Sequence, residues 1–357
     1  MLSFKTMFKI KNKRISTLNY PYIIAEMSGN HNGSLDQALK IVDAAAEAGV
    51  DAIKLQTYTA DSLTLNSKKS TFQIKSKKSL WHGEYLYDLY KTGSTPWDWH
   101  KIIFERAKDH NLDCFSSPFD LLAIDLLEDL KTPAYKIASA EITDVNLIKA
   151  VAETGKPIIM STGMASITEI EEAVNTLVKN NCKSFALLKC TSNYPCAPKD
   201  SNLATMTVLR DLFDCEVGFS DHTLGIGASI AAVARGASII EKHFTLKRSD
   251  GGIDSKFSME PNEMKLLVSE SRAARDSIGK IFIGPTKDEI PSLNFRRSLF
   301  ACKDIKKGEV FNLSNVRSVR PSKGLHPRNL EIIIGKCALK DIEKGTPLSW
   351  GLIKTEH

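Results

Sequence analysis

Short apolar runs alternate with longer amphipathic stretches from about Tyr22 to about Phe244. The runs are YIIAEMS, DAIKLQTY, LDCFSSP, PAYKIAS, PIIMST, FALLKCT, CEVGFSDH and ASIIEKHF, each bounded by Gly, Pro, Asn or Asp in the manner of strands. Helix signals fill the gaps. Ser34 and Gln37 have the spacing of a capping box ahead of LDQALKIVDAAAEAG, whose apolar residues recur at helical intervals until Gly49. Ser166 with Glu169 opens another helix, and Asp144 opens one that ends at Gly155 before Pro157 starts the next strand. About eight strand–helix units within roughly 225 residues predict a (β/α)8 TIM barrel, since each crossover helix must lie outside a closed parallel sheet. The competitor is a doubly wound open sheet. It would carry a Gly-rich phosphate turn after the first strand, and GNHNG at Gly29 to Gly33 lacks that fingerprint.

The polar residues share a phase. Glu26, Lys54 and Gln56, Ser116 and Ser117, Lys136 and Ser139, Ser161 and Thr162, Thr191, Ser220 with His222, and Lys242 with His243 all lie near C-terminal strand ends. In a barrel those ends converge on one mouth, where catalytic groups sit. Beyond a helix from about Pro261 to Gly279, GPTKDEIPS reads as a linker, and the tail holds a near repeat, KDIKKGEVF from Lys303 and KDIEKGTPL from Lys340. The expected organisation is a barrel domain over residues 1–284, a linker over 285–294 and a small β-rich module over 295–357. A module of that size is marginal alone, so docking onto the barrel or a partner subunit is expected.

Composition narrows the classes. The 42% hydrophobic and 25% charged content is that of a soluble globular chain, and no run of about 18 apolar residues suggests a membrane span. The basic start, MLSFKTMFKIKNKRIS, lacks the apolar core of a secretory signal, so a cytoplasmic protein is expected. Seven cysteines without CxxC pairs argue against a disulfide framework or a thiolate zinc site. The net charge of +6 owes much to Lys68, Lys69, Lys75, Lys77 and Lys78, either a solvated loop or an attractor of an anionic substrate. Nucleic-acid binding would need a broader basic face with interleaved aromatics.

His222 and His243 close the seventh and eighth predicted strands, neighbours in a closed barrel, and could share one divalent ion with Glu26 beside it. Packed, hydrogen-bonded histidines are the plainer alternative. Lys54 and Lys136, pointing into a mouth, must be solvated or paired with an anion, and Ser139, Ser161, Ser192 and Ser220 could complete a cradle for phosphate and carboxylate. One lysine could instead form a Schiff base, as metal-free barrel aldolases do. Glu141 is placed to move a proton or merely to carry a helix N-terminal charge. Asp254 could bind sugar hydroxyls or serve a turn.

The ordered set IAEMSGNHNG, DAIKLQTY, FSSPFD, YKIASAE, IIMSTGMAS, LKCTSNYP, GFSDHTLGIG and IEKHFTL resembles the sialic acid synthase family, and FRRSLFA, KDIKKGE and VRPSKGL resemble its antifreeze-like SAF domain. The resemblance implies condensation of phosphoenolpyruvate, water and an N-acetylated amino sugar, with release of phosphate by C–O cleavage. It assigns phosphoenolpyruvate contacts to Lys54, Ser117, Lys136, Ser139, Ser161, Ser192 and Ser220, and a divalent metal ion (manganese, cobalt or magnesium) to His222 and His243. Sugar contacts fall to Glu26, Gln56, Tyr194 and Asp254, and proton transfer to Glu141. Ser117 and Ser192 stand where the family often has Thr and Asn. The resemblance also implies a domain-swapped homodimer in which Arg320 of VRPSKGL enters the partner's active site, with Ser322 in place of the usual Gly. Met27 and Ser28 of IAEMSGNHNG, and YLYDLYKTGSTPWDW, look like the pseudaminic acid branch, whose sugar is 2,4-diacetamido-2,4,6-trideoxy-L-altrose. N-acetylneuraminate or legionaminate synthesis, and a non-catalytic sugar-binding barrel, are the rival readings.

Overall fold

A computed structural model describes residues 8–354; residues 1–7, at the head of the basic N-terminal stretch, and 355–357 lie outside the described part. The chain divides into two compact units, Met1–Gly279 and Lys280–His357.

In the first unit a hairpin, β1 (Lys9–Ile10) and β2 (Lys13–Arg14), precedes eight parallel strands. These are β3 (Tyr22–Glu26), β4 (Ala52–Thr57), β5 (Asp113–Pro118), β6 (Tyr135–Ile137), β7 (Ile158–Ser161), β8 (Phe185–Cys190), β9 (Glu216–Asp221) and β10 (Ile239–His243). They form a closed barrel, with β10 paired to β3 from Ile239↔Tyr22 to His243↔Glu26. The TIM barrel expected from the alternation is therefore the fold.

The capping signals act as their chemistry predicts. Ser34 accepts from the Gln37 N–H at the start of α1 (Leu35–Ala48), and Gly49, at φ 80°, ends that helix in the left-handed region open to glycine. After β4, residues 58–96 form an insertion containing α2 (Ala60–Leu63) and α3 (Leu86–Gly93) before the crossover helix α4 (Trp97–Asp109). Next come α5 (Leu121–Asp129), α6 (Val145–Glu153), capped by Asp144, and α7 (Ile167–Lys179), whose Ser166 and Glu169 complete a reciprocal box. Helices α8 (Thr205–Phe213), α9 (Gly227–Ala234) and α10 (Pro261–Ile278) finish the ring.

Two cores follow from the period of two. Outward strand residues such as Ile23, Ala25, Ile53, Leu55, Ile158 and Met160 pack against helix residues such as Ala38, Ile41, Val42 and Ala45. Burying each large aliphatic side chain contributes about 1.5–3 kcal/mol. Inside the barrel, Tyr22, Ile24, Ala52, Phe115, Ala134, Ile159, Ala186, Leu188 and Ile239 form a second cluster with Phe8, Ile10 and Ile15 of the N-terminal segment. The hairpin thus plugs the N-terminal end of the lumen. Gly218 is required there, since a Cβ would lie 2.4 Å from the Ile239 carbonyl oxygen.

The near repeat in the second unit folds against itself. Beside the antiparallel pair β11 (Ser298–Ala301) and β12 (Val316–Val319), Ile305 and Ile342 of the two copies bridge and are both buried. Each copy's aspartate caps the other's turn: Asp341 accepts from the Lys307 N–H (2.8 Å) and Asp304 from the Lys344 N–H (2.8 Å).

Candidate active site

Two residues beyond the apolar layer, the same strands turn polar. Glu26, Lys54, Gln56, Ser117, Lys136, Ser161, Ser220, Glu241 and His243 occupy inward positions toward the C-terminal end, in phase with the buried residues two places earlier. Lys54 Nζ lies 2.5 Å from Glu26 Oε2 and 3.6 Å from Glu241 Oε2. Lys136 Nζ donates to Ser161 Oγ (2.8 Å) and lies 3.5 Å from Glu241 Oε1. Ser220 Oγ donates to Glu241 Oε1 (3.1 Å), and Gln56 Nε2 to Glu26 Oε1 (3.0 Å). Ser117 Oγ stands 3.5 Å from Lys54 Nζ.

Buried charge of this density shifts its own ionisation. Burial lifts the Glu26 carboxyl to about 7, against the lowering pull of Lys54 and with Glu241 adding to the rise. Lys136 is depressed by burial, which outweighs the attraction of Glu241. Glu141 lies on a 3-10 turn (Ser139–Thr143) directly after β6; burial raises it to about 7, and its Oε2 is buried with no hydrogen-bond partner among the described residues. The Ser139 hydroxyl accepts from the Gly163 N–H (3.0 Å), and Ser192 Oγ, buried beside the same glycine, has no hydrogen-bond partner among the described residues. A Cβ on Gly163 would sit 2.4 Å from Ser192 Oγ and 2.7 Å from Ser139 Oγ, so only glycine lets these loops meet.

His222 and His243 face each other with ring centroids 5.4 Å apart. His222 Nδ1 donates to the Thr191 carbonyl (3.0 Å), so in the neutral ring Nε2 carries the lone pair. His243 Nδ1 is buried without a hydrogen-bond partner among the described residues and lies 3.8 Å from Asp254 Oδ2. Burial first, with nearby positive charge from Lys54 and Lys242, holds His243 well below the usual imidazole range, hence neutral. Burial also lowers His222, but the hydrogen bond and charge of Cys190 lead the effects that raise it overall, so His243 is the more readily available ligand. A neutral imidazole with an unused nitrogen is what a metal requires of a ligand. No cluster of three or more His, Cys, Asp and Glu is arranged for an ion among the described residues, so the chain would give two imidazoles and leave the other positions to water and substrate. The residues fit an open catalytic site. Tyr194 packs beside this pair, its ring tilted against that of His222 at 4.3 Å and edge-on to that of His243 at 6.2 Å, and Asp254 accepts from the Ser28 hydroxyl.

The strand pleat sorts the sequence candidates. Ser116 and Lys242, grouped with the mouth by position, face outward: Ser116 bonds Thr57 Oγ1 (2.6 Å), and Lys242 pairs with Asp221 (2.9 Å) behind the sheet. The lysine-rich stretch is exposed, and Lys68 pairs with Asp88. Arg320 belongs to the second unit, exposed at the end of β12, with no ion pair among the described residues. Sequence reasoning missed Glu241, although alternation from His243 places it inward, between Lys54 and Lys136.

The chain is similar to known proteins along most of its length. The chain is 47% identical over 327 residues to a pseudaminic acid synthase of Campylobacter jejuni, covering 92% of this chain and 95% of the relative. It is 43% identical over 341 residues to the pseudaminic acid synthase of Helicobacter pylori, covering 93% and 97%. Among solved structures, an N-acetylneuraminic acid (sialic acid) synthetase from Leptospira borgpetersenii, in complex with citrate, superposes with a TM-score of 0.71 at 34% identity, covering 81% of this chain and 95% of that one. Residues 296–354 match the SAF domain. Residues 41–282 match the NeuB family, a stretch that runs through the strands bearing Lys54, Lys136, His222 and His243, and the chain belongs to that family.

Proposed function

We propose that this chain carries out the pseudaminic acid synthase reaction, the condensation of phosphoenolpyruvate with 2,4-diacetamido-2,4,6-trideoxy-L-altrose and water with release of phosphate. The observation that carries the reaction class is the pair of buried ammonium groups, Lys54 and Lys136, at the same barrel mouth as the facing imidazoles. Two fixed cations with Ser117, Ser139, Ser161, Ser192 and Ser220 around them suit a small polyanion bearing phosphate and carboxylate. The identity to two pseudaminic acid synthases favours that product over N-acetylneuraminate or legionaminate.

In this reading the alkene carbon of phosphoenolpyruvate attacks the sugar aldehyde, cationic character develops at its C2, and water adds there. The resulting tetrahedral carbon expels phosphate. Lys54 and Lys136 hold phosphate and carboxylate in line and stabilise charge as it shifts, which is positioning and electrostatics rather than covalent catalysis. Glu26, Gln56, Tyr194 and Asp254 orient the sugar. Glu141, half protonated near neutrality, delivers the proton that the aldehyde oxygen takes up. The chemistry supplied by a divalent ion on His222 and His243 is Lewis-acid polarisation of that oxygen.

A phosphate-release assay over a panel of amino sugars tests the reading. The expected result is preference for the 6-deoxy diacetamido sugar over N-acetylmannosamine by about tenfold or more. Faster turnover of N-acetylmannosamine overturns the product, and no phosphate release with any sugar overturns the reaction. We further read the assembly as a homodimer in which Arg320 serves the partner's site. Mixing unfolded Arg320→Ala and Glu26→Ala chains and refolding them should then restore about a quarter of wild-type activity, because half the dimers are mixed and each has one complete site. No recovery in mixed dimers confirmed by mass removes the shared site.

A further inference from the structure

We infer that Trp81, on the insertion after β4, sets the selectivity of the site for a deoxygenated, acylated sugar; the inference rests on the function proposed above and names the residue that would enforce it. Three observations converge. The insertion reaches past β3 to the loop after β10, where the Trp81 indole N–H donates to the Ile253 carbonyl at 3.1 Å. The half-buried Trp81 ring lies 5.8 Å from Tyr194, which itself packs on His222 and His243, so one chain of rings runs from the insertion to the histidine pair. Gly93, at the far end of α3, lies so near Ile253 and Tyr58 that a Cβ would stand 2.9 Å from Ile253 Cδ1 and 3.0 Å from the Tyr58 hydroxyl, which holds the insertion against the mouth.

The chemistry follows from what Trp81 has left to offer. Its one polar atom is committed to Ile253, so the rest of the ring presents carbon only. A C-methyl or acetamido methyl group packs against such a surface, whereas a hydroxyl brought there loses water and gains no partner. Glu26 ends β3 and Glu141 follows β6, so these carboxylates stand on other elements than the insertion and remain for the polar edge of the sugar. The rim and the floor therefore read different ends of one substrate.

Phosphate release by the full-length protein, with 2,4-diacetamido-2,4,6-trideoxy-L-altrose or N-acetylmannosamine as sugar, tests this in wild type, W81A and W81Q. Expected is a fall of about tenfold or more in kcat/KM for the deoxy sugar in W81A, with kcat/KM for N-acetylmannosamine unchanged or raised. W81Q, which returns a donor and an acceptor to the rim, should raise N-acetylmannosamine use further. The KM for phosphoenolpyruvate should stay at its wild-type value in both. Equal losses on the two sugars, or a matching rise in the KM for phosphoenolpyruvate, would mean that Trp81 only braces the insertion and would overturn the inference while leaving the product assignment in place. Preference of the wild type for N-acetylmannosamine would instead overturn the product assignment, and this inference with it. Should W81A not fold, the selectivity ratio of W81Q decides alone.

Discussion

Ile24 and Glu26 point into the same lumen from one strand, as do Ala52 and Lys54, Phe115 and Ser117, Ile159 and Ser161, and Ile239 and Glu241. The lower member of each pair belongs to an apolar cluster closed by Phe8, Ile10 and Ile15, and the upper member to a network of charges with little access to water. Two residues of rise, about 6.5 Å, separate the layers, so they share backbone, strand tilt and burial. The difference between them is therefore purely one of side-chain chemistry. The lower layer gains stability from every atom it buries, while the upper layer gives stability up to keep two ammonium groups and two carboxylates out of water.

The largest test of this division is the histidine pair. Replacing His222 or His243 with Ala should abolish metal-dependent phosphate release, by about a thousandfold or more, with bound metal lost by elemental analysis and the thermal midpoint little changed. Chelation of the wild type should do the same, reversibly on adding manganese, cobalt or magnesium. Full activity in a demonstrably metal-free preparation would break the assignment.

Next come the charges. Lys136→Met should cost about a hundredfold or more in kcat/KM for phosphoenolpyruvate. It should also destabilise the fold by about 3–5 kcal/mol, because Glu241 loses one of its two cations. Adding Glu241→Gln should restore stability without restoring activity. Recovery of both would show that the lysine acts only by balancing the glutamate. In the lower layer, Ile24→Ala should cost about 2–5 kcal/mol in urea unfolding and leave kcat of the folded fraction near wild type; a larger effect on kcat than on stability would dissolve the contrast between layers.

The smallest effect on stability concerns Glu141. Its pKa rises on folding from 4.5 to about 7, so the protonated form favours the folded state: the stability it contributes is full below about pH 4.5 and is lost as pH climbs through about 7. The shift corresponds to at most about 3 kcal/mol, and less because the side chain is not fully buried. Glu141→Gln should thus raise the thermal midpoint relative to wild type at pH 8 and not at pH 4.5. It should also remove the alkaline decline of kcat expected of a group that must donate a proton. A pH-independent difference would place the carboxylate outside the buried mouth.

Much of this was local information. Short apolar runs bounded by Gly, Pro, Asn or Asp marked all eight strands, Ser166 with Glu169 and Asp144 marked helix starts, and polar strand ends marked the mouth, because such runs and caps depend on residues a few places apart. Ser116 and Lys242 were grouped with the mouth because proximity to a strand end was read without the pleat. The pairing of the near repeat was equally hidden: KDIKKGE and KDIEKGT are visible as two copies, but that each aspartate caps the other copy's turn is seen only once Ile305 meets Ile342. The sequence by itself determined which side chains face the lumen and which of those are charged. Tertiary structure alone decided that Glu241 of the last strand lies between Lys54 and Lys136 of the second and fourth, and that Trp81 reaches Ile253 and Tyr194 from a distant insertion. Closure of the barrel brings those groups together, and closure is a non-local event that no window of neighbouring residues encodes.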